Sequence, residues 1–333
     1  MIPCTSSHVK SPPSSSSRNS RTSYLTSTTA LELAELPKSL IVIGGGFIGC
    51  ELAQMFSRAG ADVTIVCRRR LLPDAEPEVS DALTAYLREE GLRVVSGVSY
   101  EGITTSDSGV SLTVESDGDR QVLEASHVML ATGRLPNTQD MGIGEAGVAL
   151  TANGGIEVDD RLRTSHPSIY AAGDVTGRGM FVYMAAYGAK IAAQNALNGN
   201  SRVYDATAMP SVVFTDPQVA SVGLTEAAAV AAGLQVCTSV VPLSQVPRAL
   251  AARDTRGLIK LVAAEDDGRL LGAHIIAPEG ADSIQTAALA IKQGMTYAEL
   301  GETIFPYLTT VEGLKLAAQT FDKSVERLSC CAG

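Results

Sequence analysis

The chain has 333 residues, 45% of them hydrophobic, with 31 glycines and a formal net charge of −10. That length allows two or three domains, and the charge disfavours nonspecific binding to nucleic acid or an anionic membrane. No apolar run approaches a membrane span, and four His and no Trp leave little material for a histidine-cluster metal site.

Residues 1–30 stand apart. The stretch Ser11-Pro-Pro-Ser-Ser-Ser-Ser-Arg-Asn-Ser20 cannot bury a core and reads as a disordered leader. It has no apolar signal-peptide core; lacking acids before Glu32, it loosely suits a transit peptide but shows no amphipathic helical pattern. Order is expected from about Leu36. Ser39 to Ile43 is an apolar strand ended by Gly44-Gly45-Gly46, and Ile48, Leu52, Met55 and Phe56 then fall on one helical face up to Gly60. Ala61 to Val66 is a second strand. Glu78 to Glu90 is a helix with Val79, Leu83, Tyr86 and Leu87 inward, and Leu92 to Val95 a third strand. Asp117-Gly118 marks a hairpin turn, and Val128 to Ala131 a buried strand. A second block holds a strand at Ser168 to Ala171 and a small-residue helix through Ala185, Ala189, Ala192 and Ala196. A third, from Met209-Pro210, alternates strands (Ser211 to Phe214, Leu258 to Val262) with helices (Ala281 to Gln293, Thr309 to Thr320). The fold class is α/β, with a Rossmann-like NAD(P)-binding domain over 31–132 and a final α+β domain over 207–333.

Gly44-Gly45-Gly46-Phe47-Ile48-Gly49 is a G-x-G-x-x-G between a strand and a helix, the context that makes this motif informative. The first glycine makes the tight turn, the second admits a pyrophosphate against the backbone, and the third lets helix and strand pack closely. The helix N-terminus then favours the anion. The second strand ends in Cys67-Arg68-Arg69-Arg70 with no acid for a ribose 2′-hydroxyl, so the 2′-phosphate of NADP is favoured, the alternative being a solvated basic turn. Ala131-Thr132-Gly133 and Ala171-Ala172-Gly173-Asp174 each end an apolar run in a glycine where a ligand can approach the backbone.

Of the six cysteines, Cys50, Cys67 and Cys237 read as small packed residues and Cys4 lies in the leader. This is no secreted disulfide framework and fits a reducing cytoplasm. Cys330 and Cys331 are adjacent near the carboxyl end, where neighbouring thiols suit a soft metal or a thiol relay, or are two exposed side chains of no consequence.

Several ordered motifs together resemble the flavin-dependent pyridine nucleotide–disulfide oxidoreductases: the Gly44–Gly49 loop followed by Glu51, Ala131–Gly133, Ala172–Asp174, and Val213-Phe214-Thr215-Asp216-Pro217 through Gly223. Val246 to Leu250, Phe305 to Phe321 and Leu328 to Gly333 resemble the mercuric reductase branch. The resemblance implies NADPH at Gly44, Gly46, Gly49, Glu51 and Arg68, and FAD at Gly133, Gly173 and Asp174. It implies a homodimer in which Cys330 and Cys331 carry Hg(II), the substrate, to the neighbouring subunit. Tyr307 takes the place of the family's catalytic His, with Glu312 at the matching acid position. A phenol, with an ordinary pKa near 10, cannot shuttle protons as that His does, but it can help position a thiol-bound metal. Residues 133–206 then read as a remnant of the FAD-binding domain and 207–333 as the dimerisation domain with its Cys-Cys tail. The family's amino-terminal flavin segment and its C-x-x-x-x-C redox pair have no counterpart in this sequence, so an N-terminally truncated member is expected, with α-helical apolar surface uncovered after Asp174. A non-catalytic Hg(II)- and nucleotide-binding remnant is the competing reading. Another disulfide reductase, such as a dihydrolipoamide dehydrogenase, is disfavoured by Tyr307 and the Cys330-Cys331 tail.

Overall fold

The computed structural model describes residues 24–106 and 109–324. Order begins earlier than the expected Leu36: Leu25 exchanges backbone hydrogen bonds with Val128 and Leu130, and helix α1 (Ser27–Leu31) starts from a capping box between Thr26 and Thr29 and buries Ala30, because these residues find partners in a strand about a hundred residues on. Then come β1 (Ser39–Ile43), α2 (Phe47–Arg58), β2 (Asp62–Cys67), α3 (Pro77–Glu89) and β3 (Arg93–Ser96). Strands β4 (Ser99–Ser106), β5 (Gly109–Ser116) and β6 (Asp119–Ala125) form an antiparallel meander, and β7 (His127–Leu130) returns to the first sheet. That sheet is parallel, in the order β3-β2-β1-β7.

Its strands are apolar on both faces because both faces are covered. Leu40, Val42, Val63 and Ile65 pack under α2 and α3, while Ile41, Ile43, Val66 and Val128 face Val110, Leu112, Val114 and Leu123 of the meander. The alternation is the period of two that a strand imposes. Asp117 and Gly118 turn the β5–β6 hairpin with φ of 53° and 86°, as a two-residue turn of this hand requires.

One face assignment is corrected. The buried side of α2 is Gly49, Cys50, Ala53, Gln54 and Phe56; Met55 is exposed, and Ile48 and Leu52 are half-buried. In α3, Tyr86 is only half-buried beside the buried Val79, Leu83 and Leu87.

Residues 131–210 contain one long element, α4 (Val182–Asn198). The strand expected at Ser168 to Ala171 is a single bridge between Arg163 and Tyr170, because no neighbouring strand offers it a ladder. The inward stripe of α4 is Met184, Gly188, Ile191 and Asn195. Gly188 lets Ala172 and Leu162 approach, and Asn195 Nδ2 donates to the carbonyls of Arg161 and Arg202. Ala189 and Ala196 face outward, and Val182 and Leu197 are more than four-fifths exposed, in line with the uncovered helix expected here.

The third block holds β8 (Ser211–Val213), β9 (Gln218–Gly223), α5 (Glu226–Ala231), β10 (Val236–Pro242), α6 (Pro247–Ala252), β11 (Leu258–Ala264), β12 (Leu270–Ala277), α7 (Gly280–Lys292), α8 (Tyr297–Glu302) and α9 (Glu312–Gln319). Its antiparallel sheet runs β10-β11-β12-β9-β8, with α7 and α9 in one core with it. Cys237 is half-buried rather than packed, because β10 is an edge strand. Val213, Val219 and Ile276 join the core beneath α2 and α3, so first and third blocks share apolar packing.

A buried ionic cluster completes that junction. Lys260, on β11, is 1% exposed, and its Nζ donates to Glu76 at 3.0 Å, Glu78 at 2.9 Å and Glu226 at 2.8 Å. Glu76 is equally buried and also accepts the Glu226 N–H. The three carboxylates hold Lys260 above the usual lysine range despite its burial, and Glu78 is held low. His274, on β12, lies beside them with Nε2 3.0 Å from the Leu224 carbonyl and a buried Nδ1 that has no hydrogen-bond partner among the described residues. The neutral tautomer that fits carries its proton on Nε2. Burial lowers the His274 pKa below its ordinary 6.5, Lys260 adding to the effect and the Leu224 carbonyl, Glu76 and Glu78 opposing it.

A depressed histidine pKa means that the unfolded chain binds a proton the native chain does not. Stability from this site is therefore complete above about pH 6.5 and falls as the pH drops through that value. Urea denaturation at pH 7.5 and pH 5.5 should show a loss that His274→Gln, which retains a donor for Leu224, reduces. An equal loss in both proteins would remove His274 as its cause.

Candidate functional site

All four strands of the first sheet run the same way, so the loops after β1, β2 and β7 gather at one edge, the crevice where open parallel sheets take ligands. The Gly44 N–H donates to the Val66 carbonyl and the Ala131 N–H to the Ile43 carbonyl, which stitches the three loops together. Within the glycine loop the three motif positions differ. A Cβ on Gly44 would lie 2.2 Å from the Ala131 carbonyl oxygen, and one on Gly49 2.0 Å from the Gly44 carbonyl oxygen. These two glycines are demanded by packing. A Cβ on Gly46 would meet nothing within 4 Å. Gly46 is also the N-cap of α2, has φ of −83°, and supplies no side-chain cap. The structure thus leaves open space in front of an uncapped helix N-terminus, as a pyrophosphate needs.

Beyond β2, Arg68 and Arg69 are exposed and Arg70 is half-buried. Arg70 donates to the Ala75 carbonyl, and Arg69 lies 3.5 Å from Asp74. Among the described residues, no hydrogen bond or ion pair engages the exposed Arg68 guanidinium, whose charge bears on the Tyr100 hydroxyl. Cys50 and Cys67 are both buried, as expected, and flank Gly45. Burial pushes Cys67 up to about 11 and Cys50 further, so neither is a thiolate at neutral pH. The donors and spaces at this edge fit a phosphorylated nicotinamide dinucleotide.

Glu51 stands one turn into α2, and its Oε1 accepts the Phe214 N–H at 2.7 Å. That contact ties the helix carrying the loop to the third block. Gly133 has φ of 133° and open space at its Cβ position, and Gly173 has φ of 80° with Ala185 pressed against it. Asp174 begins a single helical turn, partly exposed, 3.6 Å from Arg134. Phe47 of the glycine loop meets Phe181, ring centroids 5.8 Å apart, and Phe181 stacks on Tyr183. These contacts bring the second block's turn beside the nucleotide loop.

Tyr307 and Glu312 lie in the third block, on the turn that leads into α9. Tyr307 is exposed and Glu312 is buried. The helix expected from Thr309 begins at Glu312, because Leu308 takes a left-handed φ of 65° and Thr309 Oγ1 accepts the Glu312 N–H. Cys330 and Cys331 lie outside the described residues. Among the described residues no cluster of His, Cys, Asp or Glu could hold a metal ion, and no helix is long and apolar enough to cross a membrane.

The ionic cluster around Lys260 was not recognised in the sequence. Its signal was present: a lysine at the centre of the apolar run Leu258 to Val262, where a strand core needs a hydrophobic residue. Arg134 and the Phe47–Phe181–Tyr183 contacts carried no such signal.

A glycine loop at the carboxyl edge of a parallel sheet, joined to an antiparallel domain through shared core, defines a nucleotide-binding oxidoreductase scaffold. The pyridine nucleotide-disulphide oxidoreductase model matches residues 4–189, and the dimerisation domain of the same family matches residues 209–318. The chain belongs to the pyridine nucleotide-disulphide oxidoreductase family. It is 46% identical over 311 residues to a mercuric reductase of Bacillus cereus, across 93% of this chain and 49% of that protein. A mercuric reductase of Streptomyces lividans is 48% identical, across 93% of this chain and 65% of its own length. The chain thus spans about half to two thirds of the curated relatives it matches. Among solved structures, a Cu(II) complex of the HOCl-induced flavoprotein disulfide reductase RclA from Escherichia coli superposes with a TM-score of 0.81 at 30% identity, covering 90% of this chain and 67% of that one. LpdA from Mycobacterium tuberculosis superposes equally well at 28% identity.

Proposed function

We propose that this chain supplies the nucleotide-binding and mercury-delivering parts of a cytoplasmic mercuric reductase that works as a homodimer and reduces Hg(II) to Hg(0). The observation that carries the reading is the match at 46–48% identity to mercuric reductases over nearly the whole chain, together with a glycine loop whose Gly46 faces open space. Residues 31–132 form the NADP domain, 133–206 a remnant of the FAD-binding domain, and 207–333 the dimerisation domain with its Cys-Cys tail.

NADPH, when bound, supplies the hydride. The Gly44–Gly49 loop and the start of α2 hold its pyrophosphate, Arg68 neutralises the 2′-phosphate, and Glu51 fixes the helix that carries the loop. Gly133, Gly173 and Asp174 meet FAD along one edge. Cys330 and Cys331 capture the substrate Hg(II) as thiolates and present it to the neighbouring subunit, where Tyr307 helps place the thiol-bound metal.

The competing reading, a binding remnant without turnover, is favoured by one sequence fact: no two of the six cysteines have the C-x-x-x-x-C spacing. An absorbance scan and an NADPH oxidation assay separate the two. A yellow protein that oxidises NADPH when Hg(II) is added supports turnover; a colourless protein that binds Hg(II) supports the remnant.

Mercury capture has its own test. In titrations against a competing monothiol, the double variant Cys330→Ser/Cys331→Ser should bind Hg(II) at least about 100-fold more weakly, since the separate single thiols that remain compete poorly with a chelating pair of soft ligands. Unchanged binding would end the proposed role of the pair.

A further inference from the structure

We propose that Glu312 is a positioning residue: its buried carboxylate clamps the Leu308 backbone and so holds still the turn that carries Tyr307. The proposal rests on the mercuric reductase reading for what Tyr307 acts upon, but the clamp itself stands on geometry.

Glu312 is 4% exposed and is the first residue of α9. Its Oε2 accepts the Leu308 N–H at 3.1 Å. A buried carboxylate needs donors, and this one takes a backbone amide at a helix N-terminus, where its charge is also favoured. Leu308 has φ of 65°, a region that a branched residue enters only when its surroundings hold it there. The neighbouring groups do the holding. Thr309 Oγ1 donates to the Pro306 carbonyl at 2.8 Å and accepts the Glu312 N–H at 3.3 Å. Thr310 Oγ1 donates to Glu279 Oε2 at 2.9 Å, anchoring the turn to the start of α7. The peptide joining Tyr307 to Leu308 is thus held on its amide side. What the clamp requires of Glu312 is an acceptor oxygen, not a titratable group. Glutamine provides that oxygen; alanine does not.

The chain has no Trp, so Tyr307→Trp introduces a single fluorophore at the position in question. Its anisotropy decay reads nanosecond motion of the turn. In the Tyr307→Trp background, Glu312→Gln should leave the fast component of the decay unchanged. Glu312→Ala should raise its amplitude about two-fold or more, as a turn released to nanosecond motion does. Glu312→Asp, one methylene short of Leu308, should follow alanine and keeps the test usable if the alanine variant is unfolded by circular dichroism. A glutamine variant as mobile as the alanine variant would show that charge holds the turn and would overturn the proposal. So would alanine and aspartate variants as rigid as the parent. The measurement is made without Hg(II), so its failure is distinct from failure of the mercury reading, which the Cys330 and Cys331 titration decides.

Discussion

Gly46→Ala should fold and melt like the parent while its NADPH affinity falls by at least about tenfold, or roughly 1.4 kcal/mol. The physical reason is where the new methyl would stand. It meets nothing within 4 Å, and the φ of −83° at Gly46 suits any residue, so the native chain gains neither a clash nor backbone strain and loses at most the modest N-cap preference for glycine over alanine. The same methyl projects into the space where the pyrophosphate must reach the backbone. Gly44→Ala and Gly49→Ala make the necessary contrast. Their added carbons would lie 2.2 Å and 2.0 Å from carbonyl oxygens, contacts that require the loop to move. Those variants should lose about 1–3 kcal/mol of stability, the usual cost of overpacking. Thermal melts and calorimetric titration with NADPH separate the two classes. A Gly46→Ala protein that binds NADPH as tightly as the parent would show that the nucleotide does not lie against Gly46.

The second large effect belongs to Lys260. Replacing it by methionine should cost about 3–5 kcal/mol, because it leaves the Glu76 carboxylate buried without its cation. Glu76 is 1% exposed and cannot turn toward water. Removing the second charge as well, in Lys260→Met/Glu76→Gln, should recover part of that loss, since a buried pair replaced by neutral groups is often nearly neutral in energy. Denaturant unfolding of the two single variants and the double variant gives the coupling energy directly. A Lys260→Met protein within about 1 kcal/mol of the parent would mean that Glu76 is satisfied by other groups. The Glu226 N–H is the donor that would remain.

These two predictions differ in how far the sequence could anticipate them. The Gly44–Gly49 loop was legible because its chemistry is local: strand, glycine turn and helix lie within about twenty residues, and the hydrophobic period changes from 2 to 3.6 across them. The sequence could not say which glycine is needed for packing and which for the ligand. That distinction depends on Ala131, which lies far along the chain and reaches Gly44 only because β7 pairs with β1. The same limit explains the helix faces. Gly188 and Asn195 of α4 face the core because the neighbours they need, Leu162, Ala172 and Arg202, come from separate loops that no local pattern joins to the helix.

By itself the sequence determined the α/β class, the glycine loop between a strand and a helix, and membership of the family through motifs spaced along the chain. Each of these rests on short-range pattern. Only the tertiary structure decided that Lys260 is bound by three carboxylates from two blocks, that His274 is kept neutral beside them, and that Glu312 is spent on the Leu308 backbone. Those facts come from burial: a charged group removed from water must find partners wherever the fold brings them, and residues 76, 226 and 260 become neighbours only when the two sheets share a core.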